Sequence, residues 1–263
     1  MSRDVSGFFD ELAAWVAARS VPSTSHPYGP EPEQHADLRL PAGPGPHPVA
    51  AVIHGGFWRA AYTKQNTEAL ATALTALGWA TWNVEYRRAG SGSCAETLAD
   101  VASACRAVHE VDAPLDLGSI VAIGHSAGGQ LALWAGAERL VAGVLGLAPI
   151  SDLISSAQEK IGDGAVLEFM GGAPAGMRAA YATADPLRRL PLRIPQVLVH
   201  GSADDRVPLR QSRYYRDVAV AAGAPCLLLE QDGADHFDVI DPRARPWSAL
   251  REGLEWIRAA VVT

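Results

Sequence analysis

Short apolar segments recur along the chain, and each is followed by a stretch with helical periodicity. The predicted strands are Val49–Ile53, Trp79–Tyr86, Ser119–Ile123, Val141–Leu147, Gln196–His200 and Cys226–Glu230, and the predicted helices are Thr67–Leu77, Thr97–Val111, Gly128–Arg139, Leu209–Ala222 and Pro246–Val262. Short apolar strands that alternate with helices are typical of a mostly parallel, twisted sheet flanked by helices on both faces. The sequence therefore predicts the α/β class.

One domain, residues 1–263, accounts for the whole chain. Its 263 residues, 48% hydrophobic and 19% charged, are enough to bury a large core. Residues 151–191 interrupt the alternation with weak periodicity and several short candidate helices. Because this segment follows a strand, we predict that it forms a small cap or lid insertion over the carboxyl edge of the sheet. The alternative is a pair of linker helices with no contact to substrate.

The segment before the first buried strand has a different character. Met1–Ser20 contains three acidic residues among its apolar ones, which predicts an amphipathic surface helix rather than a secretory signal. Val21–Pro32 is rich in proline, serine and glycine and predicts a loop. Gln34–Leu40 alternates apolar and polar residues, as half-exposed strands do.

Charge and hydropathy exclude two classes of partner. The formal net charge is −7 and lysine and arginine form no long run, so we expect no nucleic-acid partner. No segment reaches the roughly 18 uncharged apolar residues that a membrane span needs. We therefore expect a cytoplasmic protein with a small-molecule substrate and no membrane partner, and a homodimer remains open.

No cofactor or metal is expected. The segment Gly90–Ala95 matches G-x-G-x-x-A, but it follows a later strand than a dinucleotide fingerprint requires. The sequence has no P-loop, no H-E-x-x-H and no clustered metal ligands. The three cysteines are widely spaced and predict ordinary reduced thiols.

The sequence Gly124-His125-Ser126-Ala127-Gly128 lies between a buried strand and a helix. G-x-S-x-G at such a junction predicts a nucleophile elbow, whose turn is too tight for side chains two residues before and after the serine. The helix N-terminus favours developing negative charge. Ser126 is the candidate nucleophile.

A second motif, His54-Gly55-Gly56-Phe57-Trp58, ends the first buried strand. A tetrahedral acyl intermediate needs backbone N–H groups aimed at its oxyanion, and glycines allow that close approach. We predict Gly56 and Phe57 as donors, Gly55 as the adjacent candidate, and Ala127 as the other donor. We expect His54 to hydrogen-bond its own loop.

A serine nucleophile needs a histidine base, and the base needs an acid that fixes its tautomer. Of the two histidines after Ser126, His236 lies in a loop after the last strand, where the active edge is expected, whereas His200 ends a strand and reads as structural. His236 is therefore the predicted base.

Three carboxyl groups compete for the role of the acid. The pattern H-G-x-x-D-x-x-V-P favours Asp204, with Asp205 facing solvent or an arginine. Asp152, just past the preceding strand, is the remaining alternative.

Four motifs together resemble the esterase/lipase and kynurenine formamidase (arylformamidase) group of α/β-hydrolases. They are HGGFW at 54–58, GHSAGG at 124–129, HGSADDRVP at 200–208 and GADHF at 233–237. The resemblance implies the α/β-hydrolase fold, a triad of Ser126, Asp204 and His236, and an oxyanion loop at 54–58. The H-G-G-x-W form is more similar to the formamidases.

The resemblance implies hydrolysis of a carboxylic ester or N-formyl amide of a small, partly aromatic substrate through an acyl-enzyme. Carboxylesterase and arylformamidase activities both remain open, and a small-peptide hydrolase is a third alternative. From another class, a catalytically silent α/β-hydrolase could serve as a binding module. Labelling by a fluorophosphonate that depends on Ser126 would separate the enzyme from the binding module.

Overall fold

The computed structural model describes residues 3–19 and 21–261. In these ranges the strands are β1 Thr24–Pro27, β2 His35–Arg39, β3 His47–Ile53, β4 Ala80–Val84, β5 Leu115–His125, β6 Gly143–Leu147, β7 Gln196–Gly201 and β8 Cys226–Gln231. The α-helices are α1 Val5–Ala17, α2 Glu68–Ala76, α3 Cys94–Ala107, α4 Ala127–Ala137, α5 Leu153–Gln158, α6 Ala165–Met170, α7 Arg178–Ala184, α8 Arg210–Ala221 and α9 Trp247–Val261.

All eight of these strands belong to one sheet, in the order β1-β2-β4-β3-β5-β6-β7-β8. The β1–β2 and β2–β4 pairs are antiparallel, and the others are parallel. The prediction of a mostly parallel sheet is confirmed. Short apolar strands suit this arrangement because helices bury both of their faces.

Two hydrophobic clusters cover the two faces of the sheet. One cluster holds the apolar residues of α3, α4 and α8. The other holds those of α1, α2 and α9, with Phe8 and Leu12 of α1 buried in it. The first helix is therefore docked onto the core by these two side chains.

The sheet register brings the predicted functional loops together. Ile53, the last residue of β3, pairs with Gly124 of β5, so the loops that follow these strands start side by side. The segments after β7 and β8 leave the sheet at the same edge, because His200 of β7 pairs with Glu230 of β8. Carboxyl ends of parallel strands form the ligand-binding edge of such sheets.

The structure adds detail that the sequence pattern did not predict. A short edge strand, β1, lies inside the segment Val21–Pro32 that was predicted as a loop; its side chains are mostly exposed, so no apolar alternation marks it. Residues 151–191 contain α5, α6, α7 and a 3-10 turn. Met1, Ser2, Ser20 and Val262, which fell in predicted helices, lie outside the described residues. No helix within those ranges is both long and apolar enough to cross a membrane.

Candidate active site

The turn between β5 and α4 holds Ser126 in a backbone conformation that residues other than glycine rarely adopt. Its φ is 56° and its ψ is −118°, while α4 begins at the next residue. The strained backbone is held because the Ser126 N–H donates to the carbonyl of Leu147, at 2.8 Å, on the neighbouring strand. Such strain persists only where the surroundings enforce it, and it is common at reactive residues.

The glycines on either side of Ser126 are required by close backbone contacts. A Cβ at Gly124 would lie 2.0 Å from the carbonyl oxygen of Gly128, and a Cβ at Gly128 would lie 2.2 Å from that of Ile53. The elbow is thus pressed against the end of β3. This contact fixes Ser126 relative to the loop that follows Ile53.

The imidazole of His236 is bonded to a buried carboxylate. Its Nδ1 donates to Oδ2 of Asp204 at 2.7 Å, so Nε2 is the ring nitrogen that is not bonded to this carboxylate. Oδ1 of Asp204 accepts the backbone N–H groups of Arg206 and Val207, each at 2.8 Å. One carboxyl oxygen therefore holds the loop after β7, and the other holds the histidine.

His200, which the sequence placed in a structural role, also faces this carboxylate. Its Nε2 donates to the carbonyl of Val207 at 2.9 Å and lies 3.2 Å from Oδ2 of Asp204. Burial alone would raise the pKa of Asp204, but the hydrogen bonds from His200 and His236 outweigh it and hold that pKa well below its usual range. Asp204 is ionised throughout the neutral range.

The two rival carboxylates are engaged elsewhere. Asp205 is 56% exposed and pairs with Arg206 at 3.3 Å. Asp152 is the N-cap of α5, where it accepts the N–H of Ser155 at 2.9 Å. Among the three candidates, Asp204 is the one bonded to His236.

The loop after β3 has three consecutive residues with positive φ: Gly56 at 109°, Phe57 at 54° and Trp58 at 54°. A Cβ at Gly56 would lie 2.2 Å from Tyr62 Cβ, so glycine is needed there. The Trp58 indole donates to Gln130 at 3.1 Å and stacks on Phe169, with ring centroids 4.4 Å apart. The loop is thereby anchored to α4 and α6.

His54 hydrogen-bonds its own loop, as predicted. Its Nδ1 donates to the carbonyl of Gly55 at 2.8 Å, and its Nε2 donates to Glu85 at 2.9 Å. Arg88 also pairs with Glu85. Burial would raise the pKa of Glu85, but the hydrogen bond and charge of His54 and the charge of Arg88 lower it to about 2. This buried network holds the predicted oxyanion loop in place through His54.

A cavity of about 90 Å³ lies between these loops. The predicted residues that line it are Gly55, Gly56, Phe57, Ser126 and His236. The Ala127 N–H is the first amide of α4 and has no acceptor within the helix. The structure thus places Ser126, His236 and the segment Gly55–Phe57 around one cavity.

Sequence reasoning missed other residues of this cavity, which are Val5, Phe9, Tyr62, Asn66, His125, Arg206 and Phe237. The spacing of Val5 and Phe9, four residues apart on α1, was the one signal that could have identified a shared helix face. All twelve lining residues lie outside the segment 151–191 predicted as a cap. That segment contacts the loop after β3 through Gly162, which lies against Phe57, and through Phe169, which stacks on Trp58.

His125, next to Ser126, holds the main chain of His236. Its Nε2 donates to the carbonyl of His236 at 2.9 Å, and the two rings lie 4.6 Å apart. Burial lowers the pKa of His125 to about 3, so the ring is neutral at physiological pH. Among the hydrogen bonds of residues 3–19 and 21–261, none joins the Ser126 hydroxyl to the His236 ring. In free enzymes this contact often tightens only when substrate binds.

Solved structures resemble the chain over most of its length. Esterase B from Lactobacillus rhamnosus superposes with a TM-score of 0.77 and 20% identity, over 98% of this chain and 94% of that one. A butyrate-bound esterase from Thermogutta terrifontis gives a TM-score of 0.70 and 22% identity, over 92% and 95%. These likenesses show the α/β-hydrolase fold.

A rice (Oryza sativa subsp. japonica) protein named "Probable isoprenylcysteine alpha-carbonyl methylesterase" is 27% identical over 81% of this chain and 57% of its own length. The chain spans 3% and 57% of the length of the curated relatives it matches first. The family model BD-FAE matches residues 36–218, which is more than half of the chain and includes the loop after β3 and the elbow. The chain therefore belongs to the BD-FAE family of α/β-hydrolase-fold proteins.

Proposed function

We propose that the protein is a carboxylic ester hydrolase in which Ser126 is the nucleophile, His236 the general base and Asp204 the group that orients the base. The observation that carries this proposal is the 2.7 Å hydrogen bond between His236 and the buried Asp204, beside a cavity that also exposes the strained Ser126. His236 has the carboxylate partner that a general base requires, and Ser126 lines the same cavity as His236.

The reaction follows from this arrangement. The Ser126 hydroxyl attacks the substrate carbonyl while Nε2 of His236 accepts its proton, and Asp204 stabilises the imidazolium that forms. The amides of Gly56, Phe57 and Ala127, with Gly55 adjacent, stabilise the oxyanion. His236 then protonates the leaving alcohol. Water, activated by the same histidine, releases the acid from Ser126.

Esters are favoured over N-formyl amides by the relatives, whose names describe esterases and a methylesterase. The butyrate in the Thermogutta terrifontis esterase supports a short acyl group. Aromatic rings on the cavity wall, from Phe9, Phe57, Tyr62 and Phe237, support a partly aromatic substrate. An N-formyl aromatic amide is the second substrate to test, because the same rings would accept it.

Two assays test the proposal. A fluorophosphonate probe should label the wild type and should not label Ser126→Ala. With p-nitrophenyl acetate, Ser126→Ala and His236→Ala should each lower kcat/KM by about three decades or more. N-formylkynurenine in the same panel compares formamide with ester. A wild type that neither reacts with the probe nor hydrolyses any ester would refute the proposal and favour a binding module.

The acid has its own matched pair of variants. Asp204→Asn should lower kcat/KM by about three to four decades, because the amide stabilises the wrong tautomer of His236. Asp152→Asn should stay near the wild-type rate, because asparagine also caps a helix. The reverse result would assign the acid to Asp152.

A further inference from the structure

The first helix, α1, presents two neighbouring faces to the protein. Phe8 and Leu12 are buried in the hydrophobic cluster on the sheet, and they hold the helix in place. Val5 and Phe9 are half-buried and line the cavity beside Ser126. The helix begins at Val5 because Asp4 caps it by accepting the N–H of Gly7 at 3.2 Å.

Ion pairs connect the start of α1 to the loop that carries His236. The guanidinium of Arg3 donates to Asp235 and to Asp238, each at 2.9 Å. Asp235 accepts the N–H groups of Phe237 and Asp238, and Asp238 accepts that of Asp235, so the two carboxylates already bracket His236. Arg3 therefore binds both of the carboxylates that flank His236.

Aromatic rings complete the contact. The ring centroid of Phe237 lies 5.5 Å from that of Phe8 and 5.9 Å from that of Phe9. Phe237 directly follows His236 and lines the same cavity. Aromatic contacts at these distances are favourable beyond the area that they bury. The position of Phe9 is thus fixed relative to the proposed base.

We propose that Val5 and Phe9 of α1 are specificity-determining residues that limit the length of the substrate group accepted on this side of the site. The inference rests on the proposed ester hydrolysis and narrows the substrate class to esters whose group on this side is short. The residues lining the cavity include these two from α1 and none from 151–191. Side-chain size on α1 therefore decides how far an ester can extend.

The test uses two series of esters with the full-length protein. One varies the acyl group of p-nitrophenyl esters from acetate to octanoate, and the other varies the alcohol of acetate esters. Phe9→Ala and Val5→Ala enlarge the site, Phe9→Leu enlarges it with the smallest risk to folding, and Val5→Phe narrows it. Trp15→Ala is the matched control, because Trp15 lies on the same helix away from this cavity and lines a different surface groove.

Each newly buried methylene group should favour binding about fourfold. Two ratios of kcat/KM are measured: p-nitrophenyl hexanoate to p-nitrophenyl acetate, and hexyl acetate to methyl acetate. In at least one series, the ratio should rise about tenfold in Phe9→Ala, rise less in Phe9→Leu and fall in Val5→Phe. Trp15→Ala should keep the wild-type ratio. Unchanged ratios in both series for folded Phe9→Leu and Val5→Phe would overturn the inference while leaving ester hydrolysis intact. A wild type inactive on every ester would instead refute the proposed function.

Discussion

Replacing Gly128 by alanine tests whether the contact between the elbow and β3 positions the site. A Cβ there would lie 2.2 Å from the carbonyl oxygen of Ile53 and 2.4 Å from that of His54. Both oxygens belong to backbone, so no side chain can rotate away. The end of β3 and the elbow have to separate, and with them the loop of proposed oxyanion donors has to move away from Ser126.

The size of the effect follows from the geometry. Ordinary contact begins at 3.4 Å, so the two backbones must move apart by about 1 Å, and a misplacement of that size costs about a hundredfold in rate. This corresponds to about 2.7 kcal/mol of transition-state stabilisation. Overpacking costs about 1–3 kcal/mol of stability, and alanine regains up to about 1 kcal/mol through its helix propensity. The variant should therefore lose more activity than stability.

The assay is kcat/KM on p-nitrophenyl acetate together with the thermal unfolding midpoint. Gly136→Ala is the matched control on the same helix, because a Cβ there meets side-chain atoms of Val144 and Ile194, at 2.7 and 3.0 Å, rather than the oxyanion loop. We expect Gly136→Ala to lower Tm and to keep kcat/KM within about threefold, as a change in the core should. A Gly128→Ala variant that also stays within threefold of the wild type would refute the positioning argument.

Two further predictions concern buried carboxyl groups. Glu85→Gln should lower Tm at pH 7 by roughly 6–12 °C, because it leaves Arg88 buried without its partner, at about 3 kcal/mol. Since the folded pKa of Glu85, about 2, lies below its ordinary 4.5, this stabilisation is present above pH 4.5 and is lost as the pH falls towards 2. A loss of Tm in Glu85→Gln that is the same at pH 7 and pH 3 would contradict the assignment. Burial, with the nearby charge of Asp152, raises the pKa of Asp185 from 3.8 to about 7, so the wild type loses stability as the pH rises from 4 to 7. Asp185→Asn should therefore melt higher than the wild type at pH 8 and show a smaller gain, or none, at pH 5, whereas an equal gain at both pH values would count against the raised pKa.

Local sequence predicted the parts of the site that local chemistry determines. The tight turn requires glycine on both sides of Ser126, and short apolar strands require a buried parallel sheet, so both were readable from short motifs. Contacts between distant segments could not be predicted from short motifs. Phe9 contacts Phe237, more than 220 positions away, and Val5 lines the same cavity. His125 reaches the main chain of His236 across 111 positions. No local pattern encodes such a pairing, because it depends on how helices and loops dock on the finished sheet.

The hydrogen bond from His125 to the His236 carbonyl makes the alignment of the proposed nucleophile and base depend on adjacent residues. Ser126 takes its position from the elbow, and the next side chain along the same elbow takes hold of the loop that carries the imidazole. Loss of this bond would therefore release the loop that carries the imidazole from the elbow. Substitutions at 125 are then a means of changing the separation of the Ser126 hydroxyl and the His236 ring without altering either of these side chains.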